Sequence, residues 1–230
     1  MAILITKDLC KTYGSGDNAV HALNHVSLTV EEGEFVSIVG TSGSGKSTFL
    51  NLVGGLDKPT SGEVWVRGHD LGKLNDEQLT IFRRRNIGFV FQNFNLIPML
   101  NVYENITFTL EADGLQPDKE FLDGIIHALG LEEKRYAMPD QLSGGQQQRV
   151  AIARALATKP AMILADEPTG NLDSKTGLEV ALLLQNSVRK FGQTLIMITH
   201  NEELAQLADR ILHIEDGRIL GKEGDHVPHS

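Results

Sequence analysis

The sequence predicts an α/β protein with a largely parallel sheet and a smaller antiparallel β-subdomain. Three observations support this prediction. Short apolar strand patterns alternate with helical periodicity over most of the chain, which favours a parallel sheet covered by helices. The first third of the chain is instead rich in strand patterns separated by turns, which favours an antiparallel layer. A glycine-rich loop joins one strand to one helix, an arrangement that suits phosphate binding.

Strands are predicted where apolar and β-branched residues cluster between turn residues. In the first third these strands are Ile3–Leu9, Val26–Val30, Phe35–Val39 and Glu63–Arg67, with turns such as Glu31-Glu32-Gly33 between them. Later strands are predicted at Ile87–Phe91, Ala161–Ala165, Thr194–Thr199, Ile211–Ile214 and Arg218–Leu220. Asp216-Gly217 separates the last two strands and is the best short hairpin signal in the chain.

Helices are predicted where apolar residues recur every three or four positions, at Lys46–Val53, Glu120–Ala128, Gln147–Ala157 and Lys175–Phe191. The middle of the chain differs in character, because a basic run (83–85) and an apolar, proline-broken segment (94–100) precede a helical insertion that reaches about Arg135. We therefore expect a core with the β-subdomain at about 1–90 and 160–220, a helical subdomain at about 93–158 and a polar tail at 221–230.

Composition limits the class of protein. Hydrophobic residues make up 41% and charged residues 22% of the 230 residues, which excludes wholesale disorder. The net charge of −9 argues against general nucleic-acid binding, which needs a basic surface. Cys10 is the single cysteine and cannot form an internal disulfide, which fits a reducing cytosol. No signal-peptide core or apolar run of ~18–20 residues is present, so we expect a soluble chain that reaches a membrane only through a partner.

The strongest motif is G-x-x-x-x-G-K-S at residues 40–47, between a predicted strand and a predicted helix. Its glycines let backbone N–H groups turn towards phosphate oxygens, and the helix start adds its positive dipole. We expect Lys46 to contact the β- and γ-phosphates and Ser47 to coordinate Mg²⁺. The expected nucleotide contacts in this loop are Gly40, Ser42, Gly43, Ser44, Gly45, Lys46, Ser47 and Thr48. This motif alone leaves kinases, GTPases, recombinases and transport ATPases open.

Polar side chains follow three of the predicted strands, at the strand end where ligands of open α/β sheets bind. Asp166 and Glu167 end one strand; we expect Asp166 to hold Mg²⁺ through water and Glu167 to accept a proton from an attacking water. His200 ends another strand and is a candidate donor to the γ-phosphate. Gln92 ends a third strand and is a candidate ligand of Mg²⁺ or of the water. For each residue alone, a solvent-facing strand end is the alternative.

The segment Leu142-Ser143-Gly144-Gly145-Gln146 precedes a predicted helix. Ser143 and Gln146 have the spacing of a capping box. The two glycines expose the N–H groups of the helix start, which favours an anion there. The two interpretations compete for the Ser143 hydroxyl, and the sequence leaves both open.

Together, these motifs resemble the nucleotide-binding subunit of ATP-binding-cassette (ABC) transporters over about residues 2–220. The specific mark of this family is the signature Leu142–Gln146 between the phosphate loop (Walker A) and Met162–Glu167 (Walker B). The resemblance implies a P-loop NTPase with a RecA-like core that binds ATP and Mg²⁺ and hydrolyses ATP. It also implies a role for each matching residue: Tyr13 stacks on adenine, Val20 lies near the ribose and base, Gln92 is the Q-loop glutamine, Asn171–Asp173 form the D-loop with Asp173 near the nucleotide, His200 is the switch histidine, Glu167 is the catalytic base, and Ser143, Gly144, Gly145 and Gln146 contact the nucleotide.

The resemblance further implies partners. Two copies are expected to sandwich two ATP molecules, each between the phosphate loop of one copy and the signature of the other. Segments 54–62, 88–96 and 166–173 are similar to a subfamily that serves lipoprotein release, macrolide or peptide efflux and a cell-division complex. Such ATPases lie at the cytoplasmic face of the inner or plasma membrane of bacteria or archaea.

The apolar segment Phe94–Leu100 is interpreted as part of the groove that receives a helix of a transmembrane permease-type partner. The alternative is that Phe94, Leu96 and Ile97 are core residues between two lobes. Two alternatives for the function also stay open: a soluble, non-transport ABC ATPase, and a regulator of a cell-wall enzyme that acts through a membrane partner.

Overall fold

The computed structural model describes residues 1–220, so the predicted polar tail at 221–230 lies outside the described residues. The chain is divided into two compact units. Of the described residues, the first unit contains Met1–Arg83 and Thr194–Leu220, and the second contains Arg84–Gln193. The predicted helical subdomain, at about 93–158, falls within the residue range of the second unit.

Strands dominate the start of the chain, and strands and helices alternate after it. The strands are β1 (Ala2–Tyr13), β2 (Val20–Glu31), β3 (Phe35–Val39), β4 (Ser61–Val66), β5 (His69–Asp70), β6 (Ile87–Phe91), β7 (Met162–Asp166), β8 (Thr194–Ile198), β9 (Arg210–Glu215) and β10 (Arg218–Leu220). The helices are α1 (Lys46–Val53), α2 (Asp76–Asn86), α3 (Val102–Ala112), α4 (Lys119–Ala128), α5 (Gly144–Ala157), α6 (Ser174–Lys190) and α7 (Glu202–Ala205). Single 3₁₀ turns cover Gly16–Asn18, Leu71–Lys73, Glu132–Lys134 and Pro139–Gln141.

The antiparallel layer of the first unit has the strand order β2-β1-β4-β5. Its long strands β1 and β2 each contain 12 residues, whereas the sequence predicted only Ile3–Leu9 in the first and Val26–Val30 in the second. The register between β1 and β2 shifts at several points, and Asp8 and His25 both adopt positive φ angles there, 46° and 54°. Such bulges interrupt the alternation of apolar and polar residues, which is why the pattern predicts strands that are too short.

The parallel strands of the first unit place the phosphate loop. β3 pairs in parallel with both β8 and β9, and β10 pairs antiparallel with β9. All five residues of β3 are buried, as expected for a strand covered on both faces. The hairpin predicted at Asp216-Gly217 is confirmed: φ is 47° and 72° at these residues, as a two-residue turn with two left-handed positions requires.

In the second unit, β6 and β7 pair in parallel with Phe91 opposite Asp166. Helix α5 packs against β6 and against α3, α4 and α6, and most of its residues from Val150 to Ala157 are buried. The sequence analysis gave no separate helix at α2 or α3. Helix α2 buries only Leu79 and Phe82 against a strongly polar background, so its periodicity is weak.

Two residues of the basic run, Arg84 and Arg85, have a structural role in the second unit. Arg84 and Arg85 both bind the carboxylate of Asp113, at 2.7 and 2.6 Å, and Arg84 also donates to the carbonyl of Ala112 at 3.1 Å. We call Arg84, Arg85 and Asp113 the Asp113 ion cluster. The hydrogen bonds from Arg85 and Arg84 hold the pKa of Asp113 below its ordinary value. Within residues 1–220, no helix has both the length and the apolar character needed to cross a membrane.

Candidate nucleotide-binding site

The phosphate loop lies between β3 and α1, and its backbone needs glycine at defined positions. Gly40, Gly43 and Gly45 have φ angles of 154°, 78° and 107°, which side-chain-bearing residues rarely adopt. A Cβ atom added to Gly40 would lie 2.1 Å from the Ile214 carbonyl oxygen, and one added to Gly45 would lie 2.3 Å from that of Ala22. The loop is therefore packed directly against neighbouring backbone, and no other residue fits at these two positions.

Lys46 begins α1, and its side chain curls back into the loop. Its ammonium group donates to the carbonyl oxygens of Gly40 and Thr41, both at 2.8 Å. The side chain is buried although it carries a charge, and these hydrogen bonds compensate part of the cost of that burial. Ser44 Oγ is also buried, and among the described residues it has no hydrogen-bond partner.

A cavity of about 380 Å³ opens beside the phosphate loop, a volume within the range of small-molecule sites. The cavity is lined by the predicted residues Val20 and Gly43 to Thr48. Four lining residues were not predicted as site residues: His21, Ala22, Asp216 and Gly217. Gly217 donates its N–H to the Ser44 carbonyl at 3.0 Å, so the β9–β10 hairpin braces the loop. The hairpin signal was visible in the sequence, but nothing in it indicated a place beside the phosphate loop.

Tyr13 lies at the end of β1, directly opposite Val20 in the sheet register. Its side chain is 42% exposed, and its hydroxyl donates to Asp57 Oδ2 at 2.9 Å. Lys11 Nζ lies 4.8 Å from the centre of the Tyr13 ring and 2.7 Å from Asp57 Oδ1. Burial raises the pKa of Asp57, but the hydrogen bonds from Lys11 and Tyr13 outweigh it and lower this pKa overall.

His200 follows β8 in the first unit. Its side chain is exposed, next to the fully buried Thr199. Thr199 Oγ1 accepts the N–H of Asn201 at 3.1 Å, and Asn201 caps α7 through the N–H groups of residues 203 and 204. The histidine thus lies at a strand end, where the sequence analysis expected it, and the capped turn that follows it was not predicted.

Gln92 and Glu167 follow paired positions of β6 and β7 in the second unit. Gln92 Nε2 donates to Asn171 Oδ1 at 3.0 Å, and Asn171 Nδ2 donates back to the Gln92 carbonyl oxygen at 3.1 Å. A Cβ atom on Gly170 would lie 2.7 Å from Gln92 Nε2, so this glycine leaves room for the pair. The structure thus joins the predicted Q-loop and D-loop through two amide side chains, a contact that the sequence analysis did not identify.

Glu167 has an unusual backbone conformation. Its φ angle is 47°, and its carbonyl oxygen accepts the N–H of Gly170 at 3.0 Å in the turn that follows β7. A left-handed conformation at a residue with a full side chain is strained, and such strain concentrates at functional sites. The neighbouring Asp166 is half-buried at the end of β7.

The segment Ser143–Gln146 forms the capping box at the start of α5. Ser143 Oγ accepts the N–H of Gln146 at 3.3 Å, and Gln146 Oε1 accepts the N–H of Ser143 at 2.9 Å. As an acceptor in the cap, the hydroxyl keeps its own proton for a second hydrogen bond, so the two interpretations are compatible. Gly145 is buried, and a Cβ atom there would lie 2.6 Å from Thr176 Cγ2. A Cβ atom on Gly144 would lie 3.2 Å from Leu172 Cδ2.

Asp173 caps the start of α6, a role that the sequence analysis did not give it. Its carboxylate accepts the N–H of Thr176 at 3.1 Å. Hydrogen bonds from the side chain and backbone of Thr176 lower the pKa of Asp173, so the group is an anion at neutral pH.

The apolar loop Phe94–Leu100 is held by two side chains of neighbouring helices. Arg154 donates to the carbonyl oxygens of Phe94 and Asn95 at 3.0 and 2.6 Å. Asn105 is fully buried and makes four hydrogen bonds to backbone groups of residues 97–101. Phe94, Leu96 and Ile97 are half-buried, whereas Met99 is 83% exposed.

The predicted metal ligands Ser47, Gln92 and Asp166 offer a hydroxyl, an amide and a carboxylate oxygen. These are hard oxygen donors, which Mg²⁺ prefers. Over residues 1–220, no group of three or more histidine, cysteine, aspartate or glutamate side chains is arranged to hold a metal by itself. That donor chemistry fits an ion that is bound by few protein ligands together with substrate phosphates.

Comparison with known proteins identifies the family. The family model described as ABC transporter matches residues 23–170. The ABC transporter ATP-binding protein MJ0796 of Methanocaldococcus jannaschii is 48% identical over 94% of this chain and 95% of its own length. The lipoprotein-releasing system ATP-binding protein LolD of Geobacter metallireducens is 46% identical over 95% of this chain and 98% of its own length. The macrolide export ATP-binding/permease protein MacB of Hyphomonas neptunium is 46% identical, but this chain spans only 34% of its length.

A solved structure gives the same assignment. The dimeric, post-hydrolysis structure of the ATP-binding cassette MJ0796 with ADP and phosphate has a TM-score of 0.85 to this chain, at 44% identity. It covers 99% of this chain and 100% of the cassette. The predictions of a P-loop NTPase fold and of an ABC ATPase are confirmed by these matches. The chain therefore belongs to the ABC transporter family and is one of its ATPase subunits.

Proposed function

We propose that two copies of this subunit bind two ATP molecules with Mg²⁺ and hydrolyse them to change the conformation of a transmembrane permease-type partner. The observation that carries the proposal is the glycine-built phosphate loop, with Lys46 folded into it, beside a cavity of about 380 Å³. The dimeric relative with ADP and phosphate supports the paired arrangement. The relatives named for lipoprotein release and macrolide export support a membrane partner.

In this proposal the first unit holds the nucleotide. The third N–H of the Lys46 ammonium and the Ser44 hydroxyl donate to phosphate oxygens, together with the backbone N–H groups of residues 40–48. The positive end of the α1 dipole adds to the positive electrostatic potential that these donors present to the phosphates. Val20 borders the ribose and base, and Tyr13 stacks on adenine.

Ser47, Gln92 and Asp166 are the proposed holders of Mg²⁺, directly or through water. When bound, the ion neutralises negative charge on the phosphate oxygens. Glu167 accepts the proton of the attacking water, and His200 donates to the γ-phosphate. Each of these roles is a matter of position and charge, which is the main source of catalysis in phosphoryl transfer.

The second copy contributes its signature to the same nucleotide. Ser143, Gly144, Gly145 and Gln146 present the start of α5, whose N–H groups and dipole favour a γ-phosphate. Asp173, which caps the start of α6, belongs to the D-loop. In this proposal it lies near the nucleotide. When hydrolysis removes the γ-phosphate, this attraction is lost and the two copies separate.

The apolar loop Phe94–Leu100 is the proposed docking segment for the membrane partner. Met99 presents an exposed apolar side chain, while Arg154 and Asn105 fix the loop backbone behind it. In this arrangement the subunit lies at the cytoplasmic face of the inner or plasma membrane. Docking through a loop that directly follows Gln92 couples the partner to the nucleotide.

The first experiment tests the catalytic base. Glu167→Gln should lower ATP turnover by about 10²- to 10⁴-fold and keep ATP binding, because the amide retains the shape but cannot accept the proton. The same variant should form an ATP-dependent dimer. The matched control is Glu77→Gln, an exposed glutamate in the first turn of α2. Phosphate release, equilibrium binding and size-exclusion chromatography measure these outcomes, and a variant with more than half of the original turnover would remove Glu167 from the role.

A second experiment tests the shared site. Lys46→Ala damages the phosphate loop and Gly144→Asp damages the signature, so each variant alone should be inactive. Mixed dimers keep one site with both parts intact, and turnover should return in proportion to the mixed fraction. Because two sites that act only together would mask this rescue, the Gly144→Asp copy is also given Glu167→Gln and the mixture is examined for ATP-dependent heterodimers. Neither rescue nor heterodimer would contradict the shared site.

A further inference from the structure

A carboxylate away from the phosphate loop holds the aromatic ring proposed to stack on the base. Asp57 lies in the turn between α1 and β4, and its two oxygens bind two side chains of β1. Oδ1 accepts from Lys11 Nζ at 2.7 Å and Oδ2 accepts from the Tyr13 hydroxyl at 2.9 Å. Lys11 and Tyr13 both reach Asp57, so their side chains lie on the same side of β1. We call Lys11, Tyr13 and Asp57 the Asp57 network.

The carboxylate itself is fixed. Its Oδ1 also accepts the backbone N–H of Lys58 at 2.7 Å, and the carbonyl oxygen of Lys58 accepts from Lys11 Nζ at 2.7 Å. Thr60, in the same turn, accepts the backbone N–H of Thr12 at 3.0 Å. The turn that carries Asp57 is thus bound to β1 through Lys58 and through Thr60. These hydrogen bonds hold the Asp57 carboxylate in place.

The ring of Tyr13 is held at two points. Asp57 fixes the hydroxyl, and the Lys11 ammonium lies 4.8 Å from the ring centre, within the range of a cation–π contact. Lys11 is itself mostly buried, so it occupies its position against the ring firmly. Tyr13 nonetheless remains 42% exposed, and its register partner Val20 lines the cavity beside the phosphate loop.

We propose that Asp57 is a positioning residue for nucleotide binding, which acts with Lys11 to hold the Tyr13 ring in the orientation that receives the base. This inference rests on the proposed stacking role of Tyr13. A ring that is already oriented loses less conformational freedom when the base binds, so the network raises affinity without touching the nucleotide. Asp57 therefore affects binding of the base and leaves binding of the phosphates unchanged.

The test compares two probes, ATP and inorganic tripolyphosphate, which carries the phosphates without a base. Affinities are measured by titration calorimetry, and folding by thermal unfolding. Tyr13→Phe removes only the hydroxyl, and Asp57→Ala removes the whole carboxylate. Each should weaken ATP binding by about 2- to 10-fold and leave tripolyphosphate binding unchanged. The double variant should be no weaker than Asp57→Ala, because both changes break the same hydrogen bond.

The control is Asp76→Ala, an exposed aspartate that binds Lys58 Nζ at 2.7 Å and should leave both affinities unchanged. Equal weakening of ATP and tripolyphosphate by Asp57→Ala would indicate a merely structural role and overturn the inference. So would an ATP affinity of Tyr13→Phe equal to that of the original protein, and this variant decides the matter if Asp57→Ala fails to fold.

Tyr13→Ala separates this inference from the proposed function. It should weaken ATP binding by about 10- to 100-fold, as expected for loss of a base–aromatic stack. If Tyr13→Ala weakens ATP binding while Tyr13→Phe does not, stacking stands and only the positioning role of Asp57 is lost. If Tyr13→Ala binds ATP as the original protein does, the stacking role itself fails.

Discussion

Asn105→Ala should release the apolar loop Phe94–Leu100 and destabilise the protein. Asn105 is fully buried in α3, and its amide accepts the N–H of Ile97 at 2.8 Å. The same amide donates to the carbonyl oxygens of Ile97, Leu100 and Asn101 at 3.1, 2.7 and 3.1 Å. Four hydrogen bonds at about 0.5–1.5 kcal/mol each set the scale of the loss. Three of them share one NH₂ group and water can reach part of the loop, so we expect a loss of about 2–4 kcal/mol.

The assay is thermal unfolding together with limited chymotrypsin digestion. For a chain of this size, each kcal/mol shifts the unfolding midpoint by about 2–4 °C, so Asn105→Ala should lower it by about 4–16 °C. Cleavage within the loop should also become faster. The matched control is Asn75→Ala, which removes an exposed side chain that accepts one hydrogen bond, from the N–H of Gln78 at 2.9 Å, and should cost about 1 kcal/mol. The reasoning is refuted if Asn105→Ala loses no more stability than this control and its loop resists digestion.

Two further predictions concern the second unit. Gly145→Ala should destabilise the protein by about 1–3 kcal/mol, because its Cβ atom would lie 2.6 Å from Thr176 Cγ2. A Cβ atom at Gly144 would lie 3.2 Å from a leucine side chain that can shift and 3.6 Å from the Phe94 ring, so Gly144→Ala should unfold at nearly the original temperature. Asp113→Asn should lower stability at pH 5–8, because the folded-state pKa of Asp113 is below its ordinary value and its ionised form therefore stabilises the fold. As pH falls below ~4 and through that lowered pKa, the carboxylate of the original protein is protonated as well. The difference in unfolding midpoint between the original protein and Asp113→Asn should therefore vanish. A difference that stays constant down to about pH 2 would contradict the ion cluster.

The sequence predicted those elements whose pattern is local. β3, α1 and β6 were predicted with the bounds that the structure gives, because buried strands read as apolar runs and the phosphate motif fixes the start of α1. Helix α2 was missed because only two of its residues are buried and its last turn is basic, so the apolar periodicity of its sequence is weak. The long ends of β1 and β2 were missed because bulges break their alternation.

In the candidate site, too, local features were predicted and long-range contacts were not. The phosphate loop, the strand-end residues and the capping box followed from motifs of fewer than ten residues. The pair between Gln92 and Asn171 joins residues 79 positions apart, and the bond between Tyr13 and Asp57 joins residues 44 positions apart. Periodicity and short motifs carry no information about such contacts, since they depend on which strands become neighbours. These long-range contacts orient the side chains that the motifs supply.

The left-handed backbone at Glu167 sets catalysis and stability against each other at one position. A glycine would accept a φ of 47° without a Cβ penalty, so Glu167→Gly relieves strain of about 1–2 kcal/mol. That same change removes the carboxylate that we propose as the base. A search for heat-resistant variants that scores only folding would therefore favour the loss of glutamate at this position. The variants that it selects would be more stable but would not hydrolyse ATP. Engineering this subunit for durability requires selection for turnover at the same time.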